Sequence, residues 1–312
     1  MRGYRFDFRS YRRRFLQPLI TSHGVWHTRE GIIIYLGNCG WGEIAPISWF
    51  GSETLEQALD FCRQLPAEVT EEMIFSVPDS LPACQFGFES ALTEMKRWRN
   101  QEDFNPSLTS SPLPPAPCPS ASLLPSGEAA LNQWKRLWKQ GYRTFKWKIG
   151  VDAIAKELQI FDLLTQNIPS TAKLRLDANG GLSYEEAQRW LQICDDIPAN
   201  IEFIEQPLPV GEFSAMLELS NSFQTAIALD ESVATLPQLE KCWEQGWRGI
   251  FVIKPGIAGS PTRLRQFCQE NQIDAVFSSV FETEIGRQAA LQLAAELSSQ
   301  NRAIGFGINY FL

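Results

Sequence analysis

Apolar and polar positions change rhythm twice along the chain. Residues 31–36 and 39–44 carry β-branched and aromatic side chains on either side of Gly37-Asn38, which predicts a hairpin closed by a tight turn. Over 53–65 and 85–98 the apolar residues return at spacings of three and four, as on one face of a helix, with Ser52 or Glu53 placed to begin the first. The first part of the chain therefore predicts an α+β unit. Between 105 and 125 Pro and Ser become dense, a linker by composition, although 121–124 has the make-up of a short strand.

Beyond this stretch a regular alternation sets in. Short apolar runs begin at residues 144, 173, 201, 226, 249, 274 and 303, and amphipathic segments fill the gaps. The intervals suit one strand, one helix and their loops. With the run at 121–124 and a helix over 127–140 the count reaches eight strands, and no full helix follows the eighth. Continuous apolar strands alternating with helices predict a parallel sheet covered on its outside, and eight units predict closure into a barrel. An open, doubly wound sheet is the alternative.

Composition narrows the function. A chain of 312 residues has room for one barrel-sized domain or two unequal ones. A net charge of -8 argues against a nucleic-acid partner. The first ten residues alternate Arg with aromatics and lack the apolar core of a signal peptide, and no later run reaches membrane-spanning length, so the expectation is a cytoplasmic protein. Seven cysteines, at 39, 62, 84, 118, 194, 242 and 268, form no CxxC pair and leave one over, which fits small buried residues in a reducing compartment. With His23 and His27 the only histidines, a metal site must be built from carboxylates, and that favours magnesium over zinc.

In a barrel the chemistry belongs at the carboxyl ends of the strands. There the sequence places Lys146-Trp147-Lys148, Asp177-Ala178-Asn179, Glu205-Gln206-Pro207, Asp230-Glu231 and Lys254-Pro255 on five successive strands. A lone Asp or Glu after a strand serves equally well as a helix cap. Three together would repel and raise one another's pKa, so a shared divalent cation is the economical account, and Asp177, Glu205 and Asp230 are the expected Mg²⁺ ligands. Lys148 and Lys254 flank them. Beside a dication a lysine tends to lose its proton and become a base, and Lys146, on the same face of its strand as Lys148, adds a further positive charge. Salt bridging without catalysis is the plainer reading of these lysines.

The ordered set KxK, DxN, ExP, DE and KP at residues 146–148, 177–179, 205–207, 230–231 and 254–255 resembles the muconate-lactonizing subgroup of the enolase superfamily. Tyr11, Leu16-Gln17-Pro18-Leu19, Thr21, Gly24, Arg29-Glu30-Gly31 and Gly40-Trp41-Gly42-Glu43-Ile44-Ala45-Pro46 resemble the o-succinylbenzoate synthases within it, as do residues 141–150 and 175–181. The resemblance implies an α/β fold: an N-terminal α+β capping domain over 1–112, a (β/α)7β modified TIM barrel over 113–308, and a tail, 309–312, that rejoins the cap. It implies Mg²⁺, with Mn²⁺ as a substitute, and a small-molecule carboxylate substrate; no nucleic-acid or membrane partner is expected, and the oligomeric state, monomer or dimer, stays open.

The implied reaction, on the route to menaquinone or phylloquinone, dehydrates 2-succinyl-6-hydroxy-2,4-cyclohexadiene-1-carboxylate to 2-succinylbenzoate through an enediolate. Lys148 would remove the proton beside the carboxylate and Lys254 would stay cationic on the opposite face. Asn179 and Glu231 would support the ligands. Ser278 and Ser279 would donate to the substrate, and residues 22–26, with Ser22 and Gly24, would close over the mouth, with an ordinary strand end and surface loop as the plain alternatives. Arg175 shares the alternation of Asp177 and so points inward, with packing or salt bridging as an equal alternative. The tryptophans read as core. Two rivals stand: an N-acylamino acid racemase or dipeptide epimerase on the same scaffold, and a barrel that binds a small acid without catalysis.

Overall fold

The computed structural model describes residues 3–21, 24–99, 119–298 and 302–307. The expected domain junction at 112/113, the tail 309–312, Ser22 and Cys118 lie outside them.

The N-terminal unit is an antiparallel sheet, β1 (Tyr4–Thr21), β2 (Gly24–Leu36), β3 (Gly40–Ile44) and β4 (Glu68–Val69), in the order β3-β2-β1-β4. The predicted hairpin is β2–β3, with Leu36 paired to Gly40 across the turn. The long β1 was not foreseen. Its alternation of Arg with aromatics is the period of a half-buried strand: Tyr4 and Phe6 face the core while Arg5 and Arg9 face solvent. Helices Leu55–Gln64 and Pro82–Arg99 cover the sheet.

Thr54, rather than Ser52 or Glu53, caps the first helix through a reciprocal pair with Gln57. Glu53 instead takes the backbone N–H groups of Ala83 and Cys84 at 3.0 and 2.8 Å, so it caps the second. That helix lies so close to β3 that a Cβ on Gly42 would stand 2.0 Å from the Gly87 carbonyl oxygen, which is why the run at 40–46 needs a glycine there.

The rest is a closed parallel barrel: β5 (Ser120–Leu124), β6 (Thr144–Lys148), β7 (Lys173–Asp177), β8 (Ile201–Glu205), β9 (Ile227–Leu229), β10 (Ile250–Ile253), β11 (Ala275–Phe277) and β12 (Ile304–Gly307). Parallel pairing of β12 with β5, and a bridge from Ser278 to Gly305, join the two ends of the sheet and exclude the open alternative. Outward residues meet the helices: Trp147 stacks on Phe161 and packs edge-on against Trp190. Inward, Phe203, Ala228, Ile250, Val252 and Val276 form an apolar plug. Cys62, Cys84, Cys194, Cys242 and Cys268 are free and buried. No helix among the described residues is long and apolar enough to cross a membrane.

The cap closes on the barrel through shared core, since Ile257 and Val280 pack into the cap's own apolar cluster. This leaves one large cavity, of about 1200 Å³, between the strand ends and the cap.

Candidate active site

Register puts the charged residues at one level. Lys148 pairs with Asp177 and Asp177 with Glu205, each the last residue of its strand. Asp230 and Lys254 directly follow β9 and β10. Because inward positions recur every second residue, Lys146 lies one step deeper than Lys148 on the same face. All six side chains line the cavity.

Their pairing is specific. The Lys146 ammonium lies between Asp177 Oδ2, at 2.7 Å, and Glu205 Oε1, at 2.6 Å. Lys254 donates to Asp230 Oδ1 and stands 3.9 Å from the centroid of the Phe50 ring, which the cap supplies. The Lys148 ammonium makes no hydrogen bond or ion pair with a described residue. Burial, and then the nearness of Asp177, push the Glu205 carboxyl above the usual carboxylate range; burial does the same to Asp230 against the pull of Lys254. Burial opposes the charge of Lys146, but Asp177 and Glu205 outweigh it and hold the ammonium above its ordinary value. The result is an acid-rich site stabilised by lysines, short of the positive charge it needs.

Two loop residues take left-handed backbone at this level, Asn179 (φ 44°) and Gln206 (φ 40°). Asn179 donates from Nδ2 to Glu231 Oε1 at 3.0 Å and from its backbone to Asp177 Oδ1 at 3.1 Å. Gln206, fully buried, accepts from the backbone N–H groups of Asp230 and Ser232 and donates to Ser232 Oγ. It ties the loop after β8 to the loop after β9. Nothing in its residue type announces this role. Such rare backbone persists where surrounding bonds over-determine it.

The remaining expected residues are placed less uniformly. Arg175 points into the barrel, but its Nε binds Glu202 at 2.7 Å and its guanidinium lies over Phe203, so the salt-bridge reading describes it best. A bulge in β8, where Leu174 pairs with Ile201 but Arg175 with Phe203, brings Glu202 to it. Ser278 and Ser279 both line the cavity. Ser279 departs from the expected substrate donor: its hydroxyl is given to Glu282 and its backbone N–H to the Gly305 carbonyl. Gly24 is exposed at the start of β2 and its carbonyl accepts from Thr21. Among the described residues of that segment, Trp26 lines the cavity.

The cap and the loop after β11 supply an aromatic mouth. Trp26 meets Trp49 at 4.9 Å and Phe281 at 5.7 Å between ring centroids, all edge-on, and the three line the cavity. These tryptophans are wall, whereas Trp147, Trp190 and Trp247 are core as expected.

No group of three or more His, Cys, Asp or Glu side chains among the described residues stands ready-made around one point. The ammonium groups of Lys146 and Lys254 hold the carboxylates instead. The donor set still suits a hard cation: three buried carboxylates with too little positive charge, and beside them Glu231, whose Oε2 is buried without a partner. A parallel barrel roofed by an antiparallel cap, with lysines flanking strand-end carboxylates, defines the class of barrel enzymes that take protons from carbon acids.

Residues 129–309 match the family model for the enolase C-terminal domain-like fold, and residues 8–95 that for the MenC N-terminal domain. An o-succinylbenzoate synthase of Thermosynechococcus vestitus is 40% identical over 98% of this chain and 92% of its own length. A crystal structure of the Thermosynechococcus elongatus o-succinylbenzoate synthase, complexed with Mg in its active site, matches with a TM-score of 0.88 at 39% identity, covering 98% of this chain and 94% of that one. The L-Ala-D/L-Glu epimerase of Bacillus subtilis, in a substrate-liganded structure, shares the fold at a TM-score of 0.79 and 22% identity, covering 99% of this chain and 90% of its own. The chain belongs to the o-succinylbenzoate synthase family of the enolase superfamily.

Proposed function

We propose that the chain dehydrates 2-succinyl-6-hydroxy-2,4-cyclohexadiene-1-carboxylate to 2-succinylbenzoate, with Asp177, Glu205 and Asp230 as ligands of Mg²⁺ and Mn²⁺ as a substitute. The observation that carries this reading is the lysine pairing: Lys146 and Lys254 each sit on a buried carboxylate, while Lys148, at the same level, has no partner among the described residues. When bound, the divalent cation supplies Lewis-acid stabilisation of negative charge on the substrate carboxylate. Glu231 and Asn179 brace the ligands.

Lys148 is the group left to move the proton. In its neutral form it takes the proton from the carbon bearing the carboxylate, leaving the C–H electron pair delocalised as an enediolate; that pair then becomes a ring double bond as the C–O bond to the hydroxyl breaks. The Lys148 ammonium then gives its proton to the departing hydroxide, so water leaves, the base is restored and the ring is aromatic. Lys254, over the Phe50 ring, stands on the opposite side of the mouth, where an ammonium stabilises the negative charge that develops on the substrate.

The cavity wall also bears on the substrate. Among the described residues, its acidic groups are the four at the strand ends, Asp177, Glu205, Asp230 and Glu231, which leaves none elsewhere to meet the α-ammonium of a dipeptide. Aromatic sides at Trp26, Trp49 and Phe281 suit a planar ring. Five free, buried cysteines fit a reducing compartment such as the cytoplasm. The deciding assay follows loss of the cyclohexadiene with Mg²⁺ and with chelator; correctly folded protein that shows no chelator-sensitive conversion sinks the assignment. N-acylamino acid racemisation, whose substrate carries no α-ammonium for an acidic wall to meet, is tested by deuterium exchange into either enantiomer, abolished separately by Lys148→Ala and Lys254→Ala if that reading holds.

A further inference from the structure

The run at 40–46 contains an acid that the reaction does not use. Glu43, in β3 of the cap, is 1% exposed, yet its partners lie on the barrel, about 240 residues away in sequence. Its carboxylate accepts from the Thr283 backbone N–H at 2.9 and 3.0 Å, from the Thr283 hydroxyl, and from the Gly286 N–H at 2.9 Å. The Tyr11 hydroxyl donates to it at 2.5 Å from the cap side. Thr283 and Gly286 begin the helix that follows β11, so a cap carboxylate completes the N-terminus of a barrel helix. The fit is close: a Cβ on Gly286 would stand 2.9 Å from Glu43 Oε2.

Immediately before Thr283 runs the loop that walls the cavity. It carries Ser278 and Phe281, and Phe281 holds left-handed backbone (φ 60°) while packing edge-on against Trp26 of the cap. That loop is therefore pinned at one end by Glu43 and in its middle by cap aromatics. The proton-moving Lys148 lies on β6, separated from β11 by β12 and β5 in the closed barrel order.

We propose that Glu43 is a positioning residue for substrate seating: it fixes the cap against the barrel so that the loop over 278–283 forms the substrate's wall, without taking part in proton transfer. This rests on the synthase reading above. The geometry separates seating from chemistry, and kinetics can separate them too. In Glu43→Gln, where a charged acceptor becomes a neutral amide, KM for the cyclohexadiene should rise about tenfold while kcat stays within about threefold, with a pH profile of kcat unchanged in shape.

Calorimetric titration with 2-succinylbenzoate supplies the control, because it counts competent sites without turnover. The expected result is one site per folded chain with binding weakened by a similar factor. A merely structural role predicts the reverse: fewer competent sites, kcat lowered in proportion, and KM and affinity unchanged, and that outcome overturns the proposal. If Glu43→Gln does not fold, Tyr11→Phe and Thr283→Val decide, since each removes one donor: a KM raised about threefold in both supports the proposal, and an unchanged KM overturns it. Should wild-type protein bind 2-succinylbenzoate but not convert the diene, the synthase reading fails, and the titrations of wild type against variants still test the seat.

Discussion

Replacing Lys146 by Met should destabilise the metal-free protein far more than the metal-loaded one. In the structure the ammonium is the shared partner of two buried carboxylates, at 2.7 Å from Asp177 and 2.6 Å from Glu205. Removing one member of a buried ion cluster leaves uncompensated charge and costs about 3–5 kcal/mol. Protonation limits the loss, because burial and Asp177 already raise the Glu205 carboxyl. With an unfolding entropy of roughly 0.65 kcal/mol/K for a chain of this length, the cost corresponds to a fall in Tm of about 5–8 °C.

A divalent cation on the same carboxylates replaces the missing charge, so saturating Mg²⁺ should recover most of that fall. The rise in Tm from chelator to Mg²⁺ is then larger in the variant than in wild type, as expected when a ligand binds only the folded state. Differential scanning calorimetry in chelator and across a Mg²⁺ titration measures both. Equal losses of Tm with and without Mg²⁺ would refute the idea that lysine and cation share these ligands.

Lys148→Ala should lower kcat by roughly 10²–10⁴ while calorimetry still finds one site for 2-succinylbenzoate; lost binding would mean the residue seats rather than reacts. Phe50→Leu removes the ring under Lys254, a contact worth up to about 2 kcal/mol when desolvated, so kcat/KM should fall by roughly tenfold and recover in Phe50→Tyr. At the barrel floor, Glu202 meets the cost of burial with Arg175, Lys173 and Arg302, which together hold its carboxyl below the ordinary value. The stability from that depressed group is present above the unfolded value of about 4.3 and drains as pH falls through the lower folded one, so Glu202→Gln should flatten the acid limb of urea midpoints against pH; an unchanged limb counts against it. Gly42→Ala places a methyl 2.0 Å from the Gly87 oxygen, backbone against backbone, and should cost about 1–3 kcal/mol or more by thermal unfolding, whereas an unshifted Tm would contradict the close packing.

How much of this was legible in the sequence depends on where each signal lies. The barrel was readable because periodicity is local: β7 and β8 run over the predicted 173–177 and 201–205, and each ends on its carboxylate. The strand-end charges follow from the same alternation. Signals carried by contacts far apart in sequence were silent. Glu53 looked like the start of its own helix and instead caps another thirty residues on, leaving that start to Thr54. Gln206 adopts left-handed backbone because bonds from Asp230 and Ser232 hold it there, and no composition rule anticipates that. β1 is hard to read for a different reason. Its arginines read as surface charge, although their alternation with aromatics is itself the strand's period.

The same division bears on specificity. Three carboxylates and flanking lysines suit any proton abstraction beside a carboxylate, and a relative with a different reaction shares the fold at 22% identity. What surrounds the strand ends is then the place to look for selectivity, and in this chain that is the wall. Here the wall is assembled across the domain boundary: Trp26 and Trp49 from the cap, Phe281 from the loop after β11, and Phe50 against Lys254. Each of these aromatics is unremarkable in its own stretch of sequence and gains meaning only when the cap is docked. A lysine ammonium on the face opposite Lys148 can stabilise an anion there or, in a racemase, return a proton to that face, so the wall and not Lys254 is what separates the two reactions. The cap thereby supplies the ring beside Lys254 as well as two of the aromatics of the mouth. Exchanging the capping residues while leaving all five strand-end motifs intact should consequently change which carbon acids are processed before it changes whether a proton is removed.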